Sequence, residues 1–256
     1  PGGVFNGGAE SHTFSGEHWR AGTGSYVGGG TIVFDRSANQ LISEYVDGNG
    51  VPTSGAAEFN HLELSGRDVT LENDVNVSGD VSMLATGRQL NVVAYQINNT
   101  SGSGTFSLGD NARIRVEGSD NFPNGFSTYD MHPGSFTFYY GSSDQTIRGR
   151  AGASEPAVAY GNLYLDEENT KTLGGDIEIQ NELRFHEATL DVSTSNYNIT
   201  IGGNWDQDQS PSLGTFVPRG GTVTFNGSND QEIWLIAGLT PVFNNVVVNK
   251  PTATRV

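Results

Sequence analysis

The chain has 256 residues, with 35 glycines, 9 prolines and no cysteine, and 13 basic against 29 acidic side chains give a net charge of −16. Disulfides therefore cannot hold the fold together, and so acidic a surface repels nucleic acid and anionic lipid while suiting solubility or cation binding. No run of about 18 apolar residues is available to span a membrane, and PGGVFNGGAE at Pro1–Glu10 lacks the basic region and apolar core of a signal peptide; the chain also ends at PTATRV in mid-phrase, so it reads as part of something longer.

Strand-like phrases recur at intervals of roughly 8–12 residues, divided by Gly, Asn, Asp or Ser, which points to an all-β protein. The first is GEHW at Gly16–Trp19. TIVFDRSANQ at Thr31–Gln40 combines an alternating strand, a polar turn and a glutamine. FNHLEL at Phe59–Leu64 opens on an aromatic residue. TLENDVNVSGDV at Thr70–Val81, LNV at Leu90–Val92 and RIRVEG at Arg113–Gly118 follow. The series then returns. FTFYYGSSDQ occupies Phe136–Gln145, YGNLYL Tyr160–Leu165 and TLGGDIEIQNEL Thr172–Leu183. LDV stands at Leu190–Val192, NITIGG at Asn198–Gly203 and GGNW at Gly202–Trp205. A third series begins with TVTFNGSNDQ at Thr222–Gln231 and FNNVVV at Phe243–Val248.

Gln40, Gln145 and Gln231 set the register, with separations of 145 − 40 = 105 and 231 − 145 = 86. Thr70–Val81 and Thr172–Leu183 match without a gap at an offset of 102. The whole chain, 1–256, reads as one repeat array: the tail of a repeat over 1–30, repeats over 31–135 and 136–221, and the start of a truncated repeat over 222–256. Such modules exceed any single supersecondary unit and must contain smaller ones. Glu182–Leu190 is the nearest candidate for a helix, but Thr189 and its match to a strand phrase argue for strand. Two all-β solutions fit: tandem β-sandwich repeats, or a parallel β-helix (a solenoid) of stacked coils. The phrases run on with no linker, and the intervals after each glutamine vary (19, 15 and 12 residues to Phe59, Tyr160 and Phe243). Both features favour the solenoid, right-handed by the chirality of parallel crossovers. At about 22 residues per coil it would have roughly 11 coils and rise ~50 Å.

The repeated residues read as architecture. Gln40, Gln145 and Gln231 suit coil corners, where an amide satisfies backbone that no ladder reaches. Phe34, Tyr139 and Phe225 share one register, as do Phe59, Tyr160 and Phe243, and read as core aromatics. Asp74 and Asp176 precede matched strands and read as turn carboxylates accepting backbone N–H groups. For calcium, Asp206 with Asp208, and Asp47, have partial loop spacing without the closing bidentate glutamate. No cofactor is expected otherwise. None of the five histidines has a metal-binding partner at suitable spacing, and no nucleophile elbow, phosphate loop or catalytic cysteine is present. For a polysaccharide-degrading β-helix the best carboxylate pairs are Glu178 with Glu182 and Asp120 with Asp130.

The run GTFVPRGGTVTFNGSNDQEI, then FNNVVVNK, together with TLGGDIEIQNELRF, ATLDV and NITIGGNW, resembles the repeat region of very large adhesin-like surface proteins of Bacteroidetes. The resemblance covers most of Gly125–Val256 and, more weakly, Val27–Val92, while Val93–Phe122 departs from it as an insertion would. It implies an extracellular, cell-surface location, often through type IX secretion, and a non-catalytic stalk or adhesive segment whose surface glycan or protein ligand is unknown. Ligand recognition would fall to the loops Ser43–Glu58, Tyr95–Asn111 and Gly149–Ala159. The alternative is a carbohydrate-binding or polysaccharide-degrading β-helix, and a third reading is a segment of a trimeric phage fibre.

Overall fold

Alternating apolar residues in short segments dictate the architecture. In strand after strand the apolar positions are buried and the intervening ones face outward, as the two-residue period of extended chain requires. The computed structural model describes residues 5–21, 26–44, 55–207, 214–235 and 242–251. Among them there is no helix. The chain forms a β-solenoid: successive strands turn corners onto different sheets, and each pairs in parallel with its counterpart one coil later. Tandem sandwiches, which pair their strands antiparallel, are thereby excluded. The chain divides into two compact units, Pro1–Arg115 with Asn121–Asp130, and Val116–Asp120 with Met131–Val256.

In the first unit a coil carries three strands. Ala57–Phe59, His61–Leu64 and Val69–Glu72 make one coil, and Val75–Val77, Val81–Met83 and Gln89–Val93 the next. Ala57 pairs with Val75, Leu62 with Val81 and Val69 with Leu90. Val93–Phe122, expected as an insertion, carries regular strands. Its strands Ile97–Asn99, Thr105–Leu108 and Arg113–Val116 continue the same three sheets. Most of Tyr95–Asn111 is therefore coil wall and not a display loop. Phe106 and Ile114 are buried there, and Phe122, Phe126 and Tyr129 pack around Phe106 at ring-centroid distances of 6.1, 5.7 and 6.4 Å.

The second unit repeats the scheme. Asn162–Leu165, Thr170–Leu173 and Ile177–Ile179 form one coil; Leu183–Phe185, Thr189–Asp191 and Ile199–Ile201 the next; Trp205–Gln207, Thr215–Val217 and Thr222–Phe225 a third. Inward residues stack in register on their equivalents: Ile177 on Ile199 and Ile199 on Val223, Ile179 on Ile201 and Ile201 on Phe225. All six are buried, and burying such a side chain contributes about 1.5–3 kcal/mol. Asn245–Val248 is the outermost strand of its sheet. Val246 and Val248 continue the buried Val223 and Phe225 positions, yet both are about half exposed (49 and 58%) because this edge carries no further described strand.

Coil length is not constant. It runs from 75 − 57 = 18 residues to 61 − 31 = 30. The repeated phrases consequently do not stay on one face. Starting at Phe136, the pairs Phe136–Asn162, Leu163–Leu183 and Leu183–Trp205 bring the chain back to the same sheet near Trp205. Thr222 lies 222 − 205 = 17 residues further on, in the sheet of Ile199–Ile201. The phrase is thus a strand–corner–strand device usable at more than one corner.

Its glutamine is the fixed part. Gln40 Nε2 donates to the carbonyls of Phe14 and Gly16 (both 2.9 Å) and its Oε1 accepts from Arg36 N–H (3.2 Å). Gln145 donates to Val116 O (3.0 Å) and Gly118 O (2.8 Å) and accepts from Gly141 N–H (2.9 Å). Gln231 donates to Ile201 O (3.0 Å) and Gly203 O (2.6 Å) and accepts from Gly227 N–H (2.9 Å). Each amide thus closes its own corner and ties it to the coil before. Glycine four residues upstream permits the shorter bond, since a Cβ on Gly141 or Gly227 would overlap the carbonyl oxygen of Glu117 or Gly202. Arg36 occupies the equivalent position in the first phrase, where the bond is longer.

Aromatic residues of the two shared phrases meet in each series. Phe34 and Phe59 pack at 6.2 Å, and Phe225 and Phe243 at 6.5 Å. The hydroxyls of Tyr139 and Tyr160 lie 3.2 Å apart, with Tyr139 also accepting from Arg148 N–H and Tyr160 donating to Arg148 O. The corner carboxylates form a second ladder. Asp74 Oδ1 accepts from Gln96 N–H (2.9 Å) and Asp176 Oδ1 from Asn198 N–H (2.7 Å), each 22 residues ahead. Asp68, Asp80 and Asp144 do likewise for Gln89, Thr105 and Thr170.

Replacing Gln145 by Ala strips one N–H and two carbonyls of their partner inside a buried corner. The unfolding free energy should fall by about 2–4 kcal/mol, against about 0.5 kcal/mol or less for Ser142→Ala at the exposed turn. Urea unfolding midpoints measure both; equal midpoints would show that the glutamine does not hold the corner.

Candidate functional site

Two groups of side chains could carry chemistry. The first is a single buried amine. Lys171 faces inward from Thr170–Leu173, in register with Gln145 on one side and Leu190 on the other, and is fully buried. Its Nζ donates to Gln145 Oε1 (2.5 Å) and Gly141 O (3.2 Å). Desolvation pulls its pKa down to about 8, against the opposing pull of Glu167, Asp166 and Asp144. A lowered lysine pKa is a mark of functional sites. Here, however, the amine is enclosed and hydrogen-bonded to the corner that Gln145 closes. Lys250 repeats the arrangement at the third phrase, donating to Gln231 Oε1 (2.9 Å) and Asn229 O (2.6 Å). Both lysines are corner pieces.

The second group lies outside, on the outer face of one sheet of the second unit. The strands Phe136–Tyr139, Asn162–Leu165, Leu183–Phe185, Trp205–Gln207 and Ile233–Leu235 (β1 to β5 below) run side by side. Register places Phe138 beside Tyr164, Tyr164 beside Arg184, Arg184 beside Asp206 and Asp206 beside Trp234. These five form one row across the coils, because the residues flanking each of them point into the core.

At one end of the row the rings of Phe136 and Phe138 are nearly parallel (17°, centroids 6.2 Å apart). Tyr164 stands across both, at 69° to Phe136 (5.6 Å) and 85° to Phe138 (5.3 Å). Arg184 lies over the Tyr164 ring, 5.1 Å from its centroid, a favourable placement for a cation on a π face. The Tyr164 hydroxyl donates to Glu182 (2.5 Å). Burial first, and Glu182 second, push this phenol up to about 12, so it keeps its proton.

In the middle of the row Arg184 Nε donates to His186 Nε2 (2.8 Å). Asp206 Oδ2 lies 3.7 Å from Arg184 Nε and 3.6 Å from His186 Nε2. Burial, and then the Arg184 charge, hold the imidazole below its ordinary pKa. The histidine is accordingly neutral at pH 7, and because Nε2 accepts from arginine the proton is assigned to Nδ1. At the far end Trp234, 40% exposed, donates from Nε1 to Glu232 (2.5 Å). The row offers aromatic faces at both ends and fixed hydrogen-bonding groups between them.

The sequence-derived candidates distribute unevenly. Asp206 belongs to the row, with its carboxylate beside Arg184 and His186 and not in a cation loop; Asp208 and Asp47 lie outside the described residues. No cluster of three or more His, Cys, Asp or Glu able to hold a metal occurs among the described residues. Glu182 joins the row, but Glu178 projects from the sheet of Ile177–Ile179, in register with Thr200. Phe136, Phe138, Tyr164, Arg184, His186 and Trp234 escape sequence reading. The alternation in FTFYY and LRFH marks them as outward, but nothing local shows that they align. Asp191 and Arg219 make a separate bidentate pair (2.5 and 2.6 Å) that holds the carboxyl below its ordinary range and ties two corners together.

No protein-family model matches this chain, and no curated protein or solved structure matches it either.

The lowered pKa of Lys171 sets a pH dependence. Its folded pKa of about 8 lies below the ordinary 10.5, so between these values the unfolded chain binds the extra proton and stability rises with pH. From pH 7.5 to 10 the unfolding free energy should rise by up to about 3 kcal/mol relative to Lys171→Met, which lacks the titrating group. Parallel curves for the two proteins over that range, measured by urea unfolding, would refute the assignment.

Proposed function

We propose that this chain is a non-catalytic repeat segment of an extracellular bacterial surface protein, acting as an adhesive stalk. One observation carries the reading: the polar residues that recur from phrase to phrase are engaged in holding coil to coil. Gln40, Gln145 and Gln231 bond the preceding corner in the same way. Asp74 and Asp176 cap the strand one coil ahead in the same way. Repetition that maintains stacking is what selection for a scaffold would produce, whereas a catalytic centre needs a unique constellation. The acidic balance of 29 to 13 suits an exposed, soluble surface that does not adhere to itself. The likeness of the strand–corner–glutamine phrase to repeats of Bacteroidetes adhesin-like proteins supports the same reading and a type IX route of export.

Location tests it. Antibodies against this segment should label intact cells of the source organism, and brief external protease should remove the signal. Labelling only after permeabilisation would overturn the extracellular assignment.

A further inference from the structure

We infer that the outer face of β1 to β5 is a glycan-binding strip, and that its ligand is a neutral polysaccharide lying across the coils. The inference rests on the extracellular adhesive reading only for where the ligand is met; the geometry stands by itself.

The row has the composition that a sugar polymer requires. Pyranose rings present C–H faces that stack on aromatic rings, and equatorial hydroxyls that need fixed donors and acceptors. Phe136, Phe138 and Tyr164 supply an aromatic corner at one end, with rings 5.3–6.2 Å apart. Trp234 supplies an exposed ring at the other. Tyr164 and Trp234 are three strands apart in register, which at about 4.8 Å per strand separates them by about 14 Å. That is a length for an extended oligosaccharide and not for a single small metabolite. Between the aromatic ends stand Arg184 and His186, with the buried Asp206 behind them as their carboxylate neighbour, and Glu182 and Glu232 flank the row.

These groups are pre-ordered. Tyr164 is held by Glu182 and beneath Arg184, Arg184 by His186, and Trp234 by Glu232. Little conformational entropy is then lost when a ligand docks. The Arg184 guanidinium is not consumed by a close carboxylate pair: its side chain is 34% exposed, and the Asp206 oxygen is 3.7 Å from Nε.

Charge selects the ligand class. Within the second unit the row holds the carboxylates Glu182 and Glu232 and the buried Asp206 against one permanent cation, Arg184, with His186 neutral. The chain as a whole carries −16. A polyuronate or sulfated glycan would meet repulsion both locally and at long range. A neutral glycan meets none, and carboxylates are good acceptors for its hydroxyls.

Affinity electrophoresis of the purified chain tests this, using gels containing mixed-linkage β-glucan, xyloglucan or galactomannan, and alginate or polygalacturonate as acidic controls. At least one neutral polysaccharide should retard the chain, with little sensitivity to salt, because no net charge pairing drives the binding. Phe138→Ala and Trp234→Ala should each weaken retardation by about tenfold. Leu84→Ala, at an exposed position of the first unit, should keep all of it. Thermal unfolding verifies that each variant is folded, and Trp234 is exposed enough for its replacement to be tolerated whatever happens at Phe138. The proposal is overturned if no neutral polysaccharide retards the chain, if the acidic polymers retard it as strongly, or if folded Trp234→Ala binds like the parent. Failure here with intact cells still labelled would sink the glycan strip alone. Binding by the purified chain without surface labelling would sink the extracellular reading alone.

Discussion

A parallel coil satisfies its backbone along the strands and leaves it unsatisfied at the corners. There, N–H and C=O groups point away from any ladder, and each one buried without a partner costs about 1–3 kcal/mol. The rest of this structure depends on how those corners are closed. Three glutamines close them from inside, each joining two carbonyls of the preceding coil to an N–H of its own turn. Aspartates close others from outside by capping the strand one coil ahead. Lys171 and Lys250 add a third piece by donating to the glutamine oxygens from the following coil. A neutral amide suits this position because it offers a donor and an acceptor at once without a charge to desolvate.

Once corners are closed, alternation sorts every strand residue into one of two environments. Inward residues stack on their equivalents and make a core of Leu, Ile, Val and aromatic rings. Outward residues stack equally well, and this is where function can differ between faces. On the outer face carrying Tyr164 the register aligns aromatic and charged side chains into one row. The acidic charge of the molecule has two parts in this view. Some carboxylates, such as Asp74, Asp80 and Asp144, are structural caps, while Glu182 and Glu232 face outward among the aromatic residues and Asp206 is buried beside Arg184 and His186. The binding surface we propose is a wall of the solenoid, whereas the sequence had pointed to the loops after each glutamine.

Much of the architecture was legible in the residues. The glutamines, the matched aromatics and the turn aspartates are local signals, since each depends on residue type and a spacing of a few positions. Within Val93–Phe122 only Arg113–Gly118 was legible as a strand phrase; Ile97–Asn99 and Thr105–Leu108 were not, because they are short, polar at alternate positions and separated by a turn holding Gly102 and Gly104. The phrase that repeats at 105 and 86 residues suggested a fixed place in a fixed module. Coils of 18 to 30 residues do not divide those numbers evenly, so the same phrase turns corners on different faces.

The sequence by itself determined the class of fold and the chemistry of its corners. Alternation with a period of two, frequent turn residues and repeated Gln and Asp positions are properties of the chain that survive any register. Tertiary structure alone decided which side chains share a face. Tyr164, Arg184, Asp206 and Trp234 are separated by 20, 22 and 28 residues, and no periodicity relates these intervals. They align because each coil must return to pair with the one before it, and the length of its corners is free to vary while the hydrogen-bonded register is not.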